Sequence, residues 1–237
     1  MTLHLRFVRQ QHEAENAASF FFQLESLLKF RAGQYLRYTL PHSDPDNRGV
    51  TRNFSIASSP EEPLIRLTTR LSTPGSSFKQ ALGVLQPGAI VESSGPFGNF
   101  VYADSDLSPV FIAGGIGITP VRSILGDLSC RTPRVSATLL YSNTTQDIPF
   151  RADIHGLSAH WPEFHVVYTL TRPGPRWDGP TGRITGALIK GLVDDLHESV
   201  FYVSGPTPMV DAMRAILADN GVDANRVKHE AFPGYDR

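Results

Sequence analysis

Pro109-Val110-Phe111-Ile112-Ala113-Gly114-Gly115-Ile116-Gly117-Ile118-Thr119-Pro120 is the stretch that decides how this 237-residue chain folds. Pro109 to Ala113 is a short apolar run that suits a strand buried on both faces. The glycines that follow supply a tight turn. Thr119 to Leu128 then sets Val121, Ile124, Leu125 and Leu128 on one helical face. Pro120 falls in the first helical turn, where its missing N–H costs nothing. Strand, glycine turn and helix in that order predict a βα unit of a parallel sheet. Backbone N–H groups and the helix N-terminus would face an anion there. The spacing is not the full G-x-G-x-x-G, because Pro120 stands where the third glycine would be. A ligand-free βα turn has the same appearance.

Downstream, the alternation continues. Val135 to Tyr141, Phe164 to Leu170 and Ser199 to Ser204 read as strands, and Phe150 to Leu157, Ile184 to Leu192 and Thr207 to Asn220 as helices. That pattern predicts a parallel sheet with helices on both faces.

Upstream, the period is two. Leu3 to Arg9, Phe22 to Glu25, Tyr35 to Leu40 and Leu64 to Leu71 read as strands. Ala32-Gly33, Pro41 to Gly49, Ser58-Ser59-Pro60 and Pro87-Gly88 are the turns between them. Between Ser76 and Leu85 a short helix intervenes, with Phe78, Leu82 and Leu85 on one face. About six short strands with one small helix predict a closed antiparallel barrel, which removes exposed sheet edges. Alternation stops near Gly95-Pro96-Phe97-Gly98. The expected organisation is therefore an antiparallel β-barrel domain over residues 1–102 and an α/β parallel-sheet domain over residues 103–237.

Bulk properties exclude several classes of function. A net charge of -1 argues against a nucleic-acid-binding surface. Cys130 is the only cysteine, which leaves no disulfide framework and no thiolate-held iron–sulfur cluster. His155, His160 and His165 are five apart, a spacing that does not align ligands on a helix, and no metal site is expected. There is no G-x-S-x-G elbow and no P-loop. No run reaches the roughly 18 apolar residues of a membrane span, and no secretory leader is seen, so a cytoplasmic protein is expected.

Three further segments carry chemistry. Arg52-Asn53-Phe54-Ser55 alternates along a predicted strand, with Asn53 and Ser55 on one side and Arg52 and Phe54 on the other. An arginine fork suits phosphate, an aromatic suits stacking, and a hydroxyl suits a ring nitrogen. An ordinary barrel strand with a solvated arginine remains open. Pro74-Gly75-Ser76-Ser77 opens the short helix, where capping and anion binding are compatible. Ser204-Gly205-Pro206 ends the last predicted strand. Two nucleotide-like ligands meeting at one interface would account for all of these.

Taken together, the segments resemble the ferredoxin–NADP⁺ reductase family of flavoproteins over essentially the whole chain, from Ala32-Gly33-Gln34-Tyr35 to the tail. The resemblance implies a flavin-binding barrel followed by a pyridine-nucleotide-binding α/β domain. Its R-x-[YF]-S motif falls on Arg52, Phe54 and Ser55, with Asn53 between them. By resemblance Phe54 packs on the isoalloxazine, Ser55 hydrogen-bonds near N5, and Arg52 meets the phosphates. Leu67-Thr68-Thr69-Arg70 matches the strand whose backbone lines the flavin, and Gly75-Ser76-Ser77 the pyrophosphate turn. Gly115, Gly117, Ile118, Thr119 and Pro120 match the nicotinamide-side turn. Gly205, Pro206 and Met209 match the family's C-G-P segment, with Ser204 where the family has cysteine.

His229-Glu230-Ala231-Phe232 resembles the family's terminal E-x-[aromatic]. Glu230 would support hydride transfer and Phe232 would cover the other flavin face, and five residues follow it. The resemblance makes Ser55, Ser204 and Glu230 the catalytic candidates and FAD, rather than FMN, the cofactor. Thr171-Arg172 stands where NADPH-selective members hold a 2′-phosphate, whereas Trp177 to Arg183 resembles loops of NADH-using oxygenase reductases. NADPH or NADH is thus the expected donor. A separate ferredoxin or other electron acceptor, such as an oxygenase system, is the expected partner. A flavin-binding electron-transfer subunit that does not oxidise NAD(P)H, and a nucleotide-binding regulatory module, are the alternatives.

Overall fold

The computed structural model describes residues 2–25, 28–71, 75–104, 108–131 and 135–233. In the first part, β1 (Thr2–Ala14), β2 (Ala17–Leu24), β3 (Tyr35–Thr39), β4 (Thr51–Ser55), β5 (Ile65–Arg70) and β6 (Ile90–Phe97) form one sheet; α1 (Ser77–Gly83) lies between β5 and β6. Strand order is β4-β3-β6-β1-β2-β5, and every pairing is antiparallel. Alternation explains the inward face. Leu3, Leu5 and Phe7 of β1 meet Phe20 and Phe22 of β2, Leu36 and Tyr38 of β3, and Phe78 and Leu82 of α1. Burying each such side chain contributes roughly 1.5–3 kcal/mol. The edge strands β4 and β5 meet through a single antiparallel bridge, Ile56 to Leu67, beside the Ala57 N–H to Arg66 carbonyl bond of 2.7 Å. The sheet is thus a half-barrel joined at that one point, not the fully closed barrel expected.

The first hairpin is longer than the polarity of Gln10 to Glu13 suggests. Irregularities between Phe7 and Arg9 and between His12 and Ala14 rotate the strand. Glu13 is thereby turned inward to a buried arginine, Arg66.

The second part holds β7 (Pro109–Gly114), α2 (Ile118–Ser129), β8 (Ala137–Asn143), α3 (Arg151–His160), β9 (Phe164–Leu170), α4 (Gly186–Lys190), β10 (Val200–Pro206), α5 (Thr207–Asp219) and β11 (Val227–Phe232). The sheet order is β11-β10-β7-β8-β9, all parallel. Val121, Ile124, Leu125 and Leu128 of α2 pack with Ile154 of α3 in one core. Ile189 of α4 and Val210, Met213 and Leu217 of α5 pack in another, so the sheet is covered on both faces. α3 starts one residue later than the periodicity predicts, because Phe150 sits at φ 59 as its cap. α4 is only five residues long, bounded by Thr185, whose Oγ1 accepts the Leu188 N–H at 3.2 Å, and by Gly191. β11 is an element that the sequence reading treats only as a tail.

Candidate functional site

The C-terminal ends of the parallel strands open into a cleft of about 170 Å³, lined by Gly114, Gly115, Ser142, Asn143, Thr171, Pro206, Met209 and Phe232 among others. The glycine turn forms its floor. Gly115 has φ +52, and a Cβ there would lie 2.6 Å from Arg70 Nη2; a Cβ on Gly117 would lie 2.5 Å from the Ser204 carbonyl oxygen. Glycine is therefore required twice, once for backbone conformation and once for close approach. Thr119 Oγ1 donates to the Ile116 carbonyl at 2.7 Å, and the Tyr141 hydroxyl donates to the Gly115 carbonyl at 2.9 Å. Burial raises the Tyr141 pKa, so this hydroxyl stays a donor. Ile118, Thr119 and Pro120 are all buried in the first turn of α2.

Ser204 is fully buried, and its hydroxyl donates to the Gly117 carbonyl at 2.6 Å. It ties the turn to β10. Gly205 packs against Gly114, while Pro206 and Met209 reach the cleft. Thr171 lines the cleft too. Arg172 is exposed and outside its lining; its backbone N–H donates to the Thr144 carbonyl at 2.8 Å.

On the barrel side, Arg52 and Phe54 share a face, as strand alternation requires. Phe54 packs 5.8 Å from the Tyr38 ring and 5.7 Å from Phe78, and the Arg52 guanidinium lies 5.5 Å from the same Phe78 ring. Arg52 Nη1 donates to the carbonyls of Arg48, Gly49 and Thr51 at 2.7–2.9 Å, and Nη2 donates to Asp46 Oδ1 at 2.5 Å. The Arg48 backbone N–H, and after it Arg52, hold the Asp46 carboxyl down at about 2. Arg52 Nε is buried without a partner among the described residues. Asn53 is exposed and accepts from Arg37 Nε at 3.3 Å.

Leu67, Thr68 and Thr69 of β5 are buried, and the Thr68 hydroxyl meets that of Ser19 at 2.7 Å. At the α1 turn, Ser76 Oγ caps the helix by accepting the Lys79 N–H at 3.4 Å. Ser77 Oγ pairs with His42 Nε2 at 2.9 Å and accepts the Asp46 N–H at 2.9 Å. The Gly75 carbonyl accepts from Gln80. Pro74, the first residue of that predicted turn, and residues 234–237 of the predicted extension lie outside the described residues.

The two halves meet at Ser55 and Glu230. Ser55 Oγ, at the end of β4, donates to Glu230 Oε2 on β11 at 3.5 Å. Burial pushes the Glu230 carboxyl up to about 7, and the Ser55 hydrogen bond opposes the rise. Ser204 and Glu230 stand opposite each other in the β10–β11 register, and Pro206 stands opposite Phe232. One edge strand thus carries the carboxylate to the barrel and the aromatic to the cleft.

Sequence reasoning quotes Arg70 only as the end of the flavin-lining strand, not as a cleft residue, and leaves out Asn143. Arg70 ends β5 and lines the cleft from the barrel side, over Gly115. Asn143 ends β8, is 6% exposed, and has an amide nitrogen without a partner among the described residues. A polar residue at the C-terminal end of a parallel strand was the available signal. Among the described residues, no group of three or more His, Cys, Asp or Glu side chains is placed to hold a metal ion, and no helix is long and apolar enough to cross a membrane.

Comparison with known proteins matches the same two parts. The oxidoreductase FAD-binding domain family matches residues 4–102, and the oxidoreductase NAD-binding domain family matches residues 111–215. The chain is 29% identical over 269 residues to one of the subunits of the Na(+)-translocating NADH-quinone reductase of Neisseria gonorrhoeae, covering 93% of this chain and 66% of that protein. It is 27% identical over 237 residues to the glycine betaine monooxygenase reductase subunit of Chromohalobacter salexigens, covering 97% and 64%. The chain thus spans just under two thirds of the length of these curated relatives.

In fold, it superposes on a ferredoxin NADP+ reductase from Neisseria gonorrhoeae, solved with bound FAD and NADP, with a TM-score of 0.81 at 20% identity, covering 97% of this chain and 98% of that one. The Amycolatopsis cytochrome P450 reductase GcoB gives a TM-score of 0.85 at 22% identity, covering 98% and 70%. With both domain families matched in this order on an antiparallel barrel and a parallel sheet, the chain belongs to the ferredoxin–NADP⁺ reductase family of FAD- and NAD-binding flavoprotein oxidoreductases.

Proposed function

We propose that this protein accepts hydride from NADH or NADPH onto bound FAD and passes the electrons to a separate acceptor, a ferredoxin-type protein or an oxygenase component. The single observation that carries this reading is the meeting of Ser55 and Glu230, where the barrel edge faces the ends of the parallel strands. Two details fit such ligands: Arg52 Nε is buried without a partner among the described residues, and Gly115 lines the cleft, where a Cβ would crowd Arg70. FAD, when bound, supplies the hydride acceptor and the change from two-electron to one-electron chemistry.

The chain's own residues do the rest. On this reading, residues 1–102 bind flavin and residues 103–237 bind the nucleotide. Arg52 meets the flavin phosphates beside the Gly75-Ser76-Ser77 turn. Phe54 and Phe232 bracket the ring, and the backbone of Leu67, Thr68 and Thr69 lines it beside Asn53. Gly115, Gly117, Ile118, Thr119, Pro120, Gly205, Pro206 and Met209 shape the nicotinamide side, with Thr171 and Arg172 at the adenosine end. Arg70 places a positive charge over the turn, which suits a diphosphate. Ser55 and Glu230 hold a proton between the two ligands, and Ser204 keeps the turn in place. A carboxyl lifted to about 7 is suited to both taking and giving that proton near neutrality.

The acceptor follows from chemistry and likeness together. These 237 residues hold one cysteine, too few for a thiolate-held cluster among them, and one relative is the reductase subunit of a monooxygenase. We place the protein in the cytoplasm on the same reading. Anaerobic visible spectra of the purified protein, before and after NADH and NADPH are added separately, test the proposal. A yellow protein that one of them bleaches is the expected result. A yellow protein that neither bleaches would point instead to an electron-transfer subunit, and a colourless protein that takes up no flavin would refute both.

A further inference from the structure

The junction between the two halves contains a charge cluster that the chemistry above does not use. Arg66 of β5 is buried; its Nη1 donates to Asp153 Oδ2 at 2.7 Å, its Nη2 to Glu13 Oε1 at 2.6 Å, and its Nε to Ser19 Oγ at 2.9 Å. Its guanidinium also lies over the rings of Phe21 and Phe150, 5.2 and 4.6 Å from their centroids. Asp153, in the first turn of α3, accepts on the same oxygen from Arg122 Nε of α2 at 2.9 Å. Arg122 Nη1 returns to the barrel, donating to the Ala57 carbonyl at 3.0 Å and to Glu62. The next residue, Ser123, donates to the Ser58 carbonyl at 2.6 Å.

The positions of these contacts give them meaning. Ala57 and Ser58 follow directly on Ser55 and Ile56, at the end of the barrel strand that reaches Glu230. Arg122 and Ser123 lie on the helix whose first turn continues the glycine turn. One rigid helix therefore runs from the nucleotide cleft to the chain just past Ser55. Two guanidinium groups converge on one carboxylate oxygen, and a neutral amide oxygen in its place would accept from them less strongly.

We propose that Arg122 and Asp153, with Arg66, are positioning residues that fix the register between the two halves and so the reach of hydride transfer; this rests on the reading under Proposed function. Most of the contacts proposed for each ligand come from one half, with Phe232 and Arg70 reaching across, so binding should feel a change of register less than the rate does: a displacement of about 1 Å at the reacting atoms costs on the order of 10²-fold in rate.

Asp153→Asn and Arg122→Lys in the full chain test this, with Ser123→Ala as a milder variant that leaves the charges in place should either fail to fold. FAD content and the KM for the nucleotide should stay within about twofold of wild type. Single-turnover bleaching of the flavin should slow by about tenfold or more in the charge variants, and by less in Ser123→Ala. In flavin-free protein, amide hydrogen exchange should rise selectively over residues 57–62. Wild-type bleaching rates with residues 57–62 protected as before would overturn the clamp. A slower rate accompanied by FAD loss, or by raised exchange throughout the barrel, would also overturn it, since that is general destabilisation. A wild type that neither nucleotide bleaches defeats the underlying reading instead, and the exchange measurement then decides the clamp alone.

Discussion

Ser55 and Glu230 stand 175 residues apart in the chain, yet the hydroxyl of one donates to the carboxylate of the other. Burial lifts that carboxyl to about 7, above its ordinary 4.5, so the folded protein holds the proton longer than the unfolded chain does. The contribution to stability is complete below about pH 4.5 and is lost as pH rises through about 7. Glu230→Gln stays neutral, so its stability relative to wild type should improve by ~1–3 kcal/mol between pH 4 and pH 8, measured by urea unfolding. Its turnover should fall by about 10²-fold. Ser55→Ala removes the bond that favours the carboxylate, so the alkaline limb of the pH–rate profile should move to higher pH.

Arg70, in the cleft lining, and Arg172, outside it, should part company in mutation. Arg70 lies over the glycine turn, and Arg70→Ala should raise the KM for NADH and NADPH alike by about tenfold or more, the worth of one charge-assisted hydrogen bond. Arg172 is exposed beyond the cleft lining. Arg172→Ala should raise the KM for NADPH alone; an unchanged preference removes it from contact with a 2′-phosphate.

Gly117→Ala should cost more than Gly115→Ala. A Cβ on Gly117 meets backbone, the Ser204 oxygen and Gly205 Cα, which cannot step aside; overpacking of this kind costs about 1–3 kcal/mol. A Cβ on Gly115 meets the mobile end of Arg70 and adds the left-handed backbone penalty of about 1–2 kcal/mol. Thermal unfolding should rank the two, and both should weaken nucleotide binding.

Arg52→Lys should lose flavin even though the charge is retained. The guanidinium serves three carbonyls and Asp46 at once, and a lysine ammonium lacks the fork needed to reach them. We expect the FAD-to-protein ratio after gel filtration to fall well below that of wild type.

The two-part fold was legible because local patterns carry it. Leu3, Leu5 and Phe7 alternate inward on β1, and Val121, Ile124, Leu125 and Leu128 recur at helical spacing on α2. Arg52 to Ser55 was placed correctly as a strand with Arg52 and Phe54 on one face. β11 escaped notice because a partly buried edge strand with Lys228 and His229 in its middle lacks the apolar run of its buried neighbours. Arg70 was quoted only with its strand, and its role at the cleft escaped because an arginine at a strand end looks solvated until the turn it covers is known. The Arg66 cluster joins residues 53 and 87 positions apart, and no periodicity records such a pairing. Ser204 reads in sequence as a group beside the nicotinamide, but its hydroxyl is spent on the Gly117 carbonyl.

The half-closed barrel links cofactor supply to the lifetime of the protein itself. Apart from the bridge between Ile56 and Leu67, the outer edges of β4 and β5 are not zipped together, and these are the strands assigned to flavin. A ligand seated along them binds only the folded chain, so it stabilises that chain in proportion to its own concentration. At a hundredfold excess over Kd the gain is about 2.7 kcal/mol. In a cell short of riboflavin the empty protein should be the first form to be degraded, and abundance would then report vitamin status as well as gene expression.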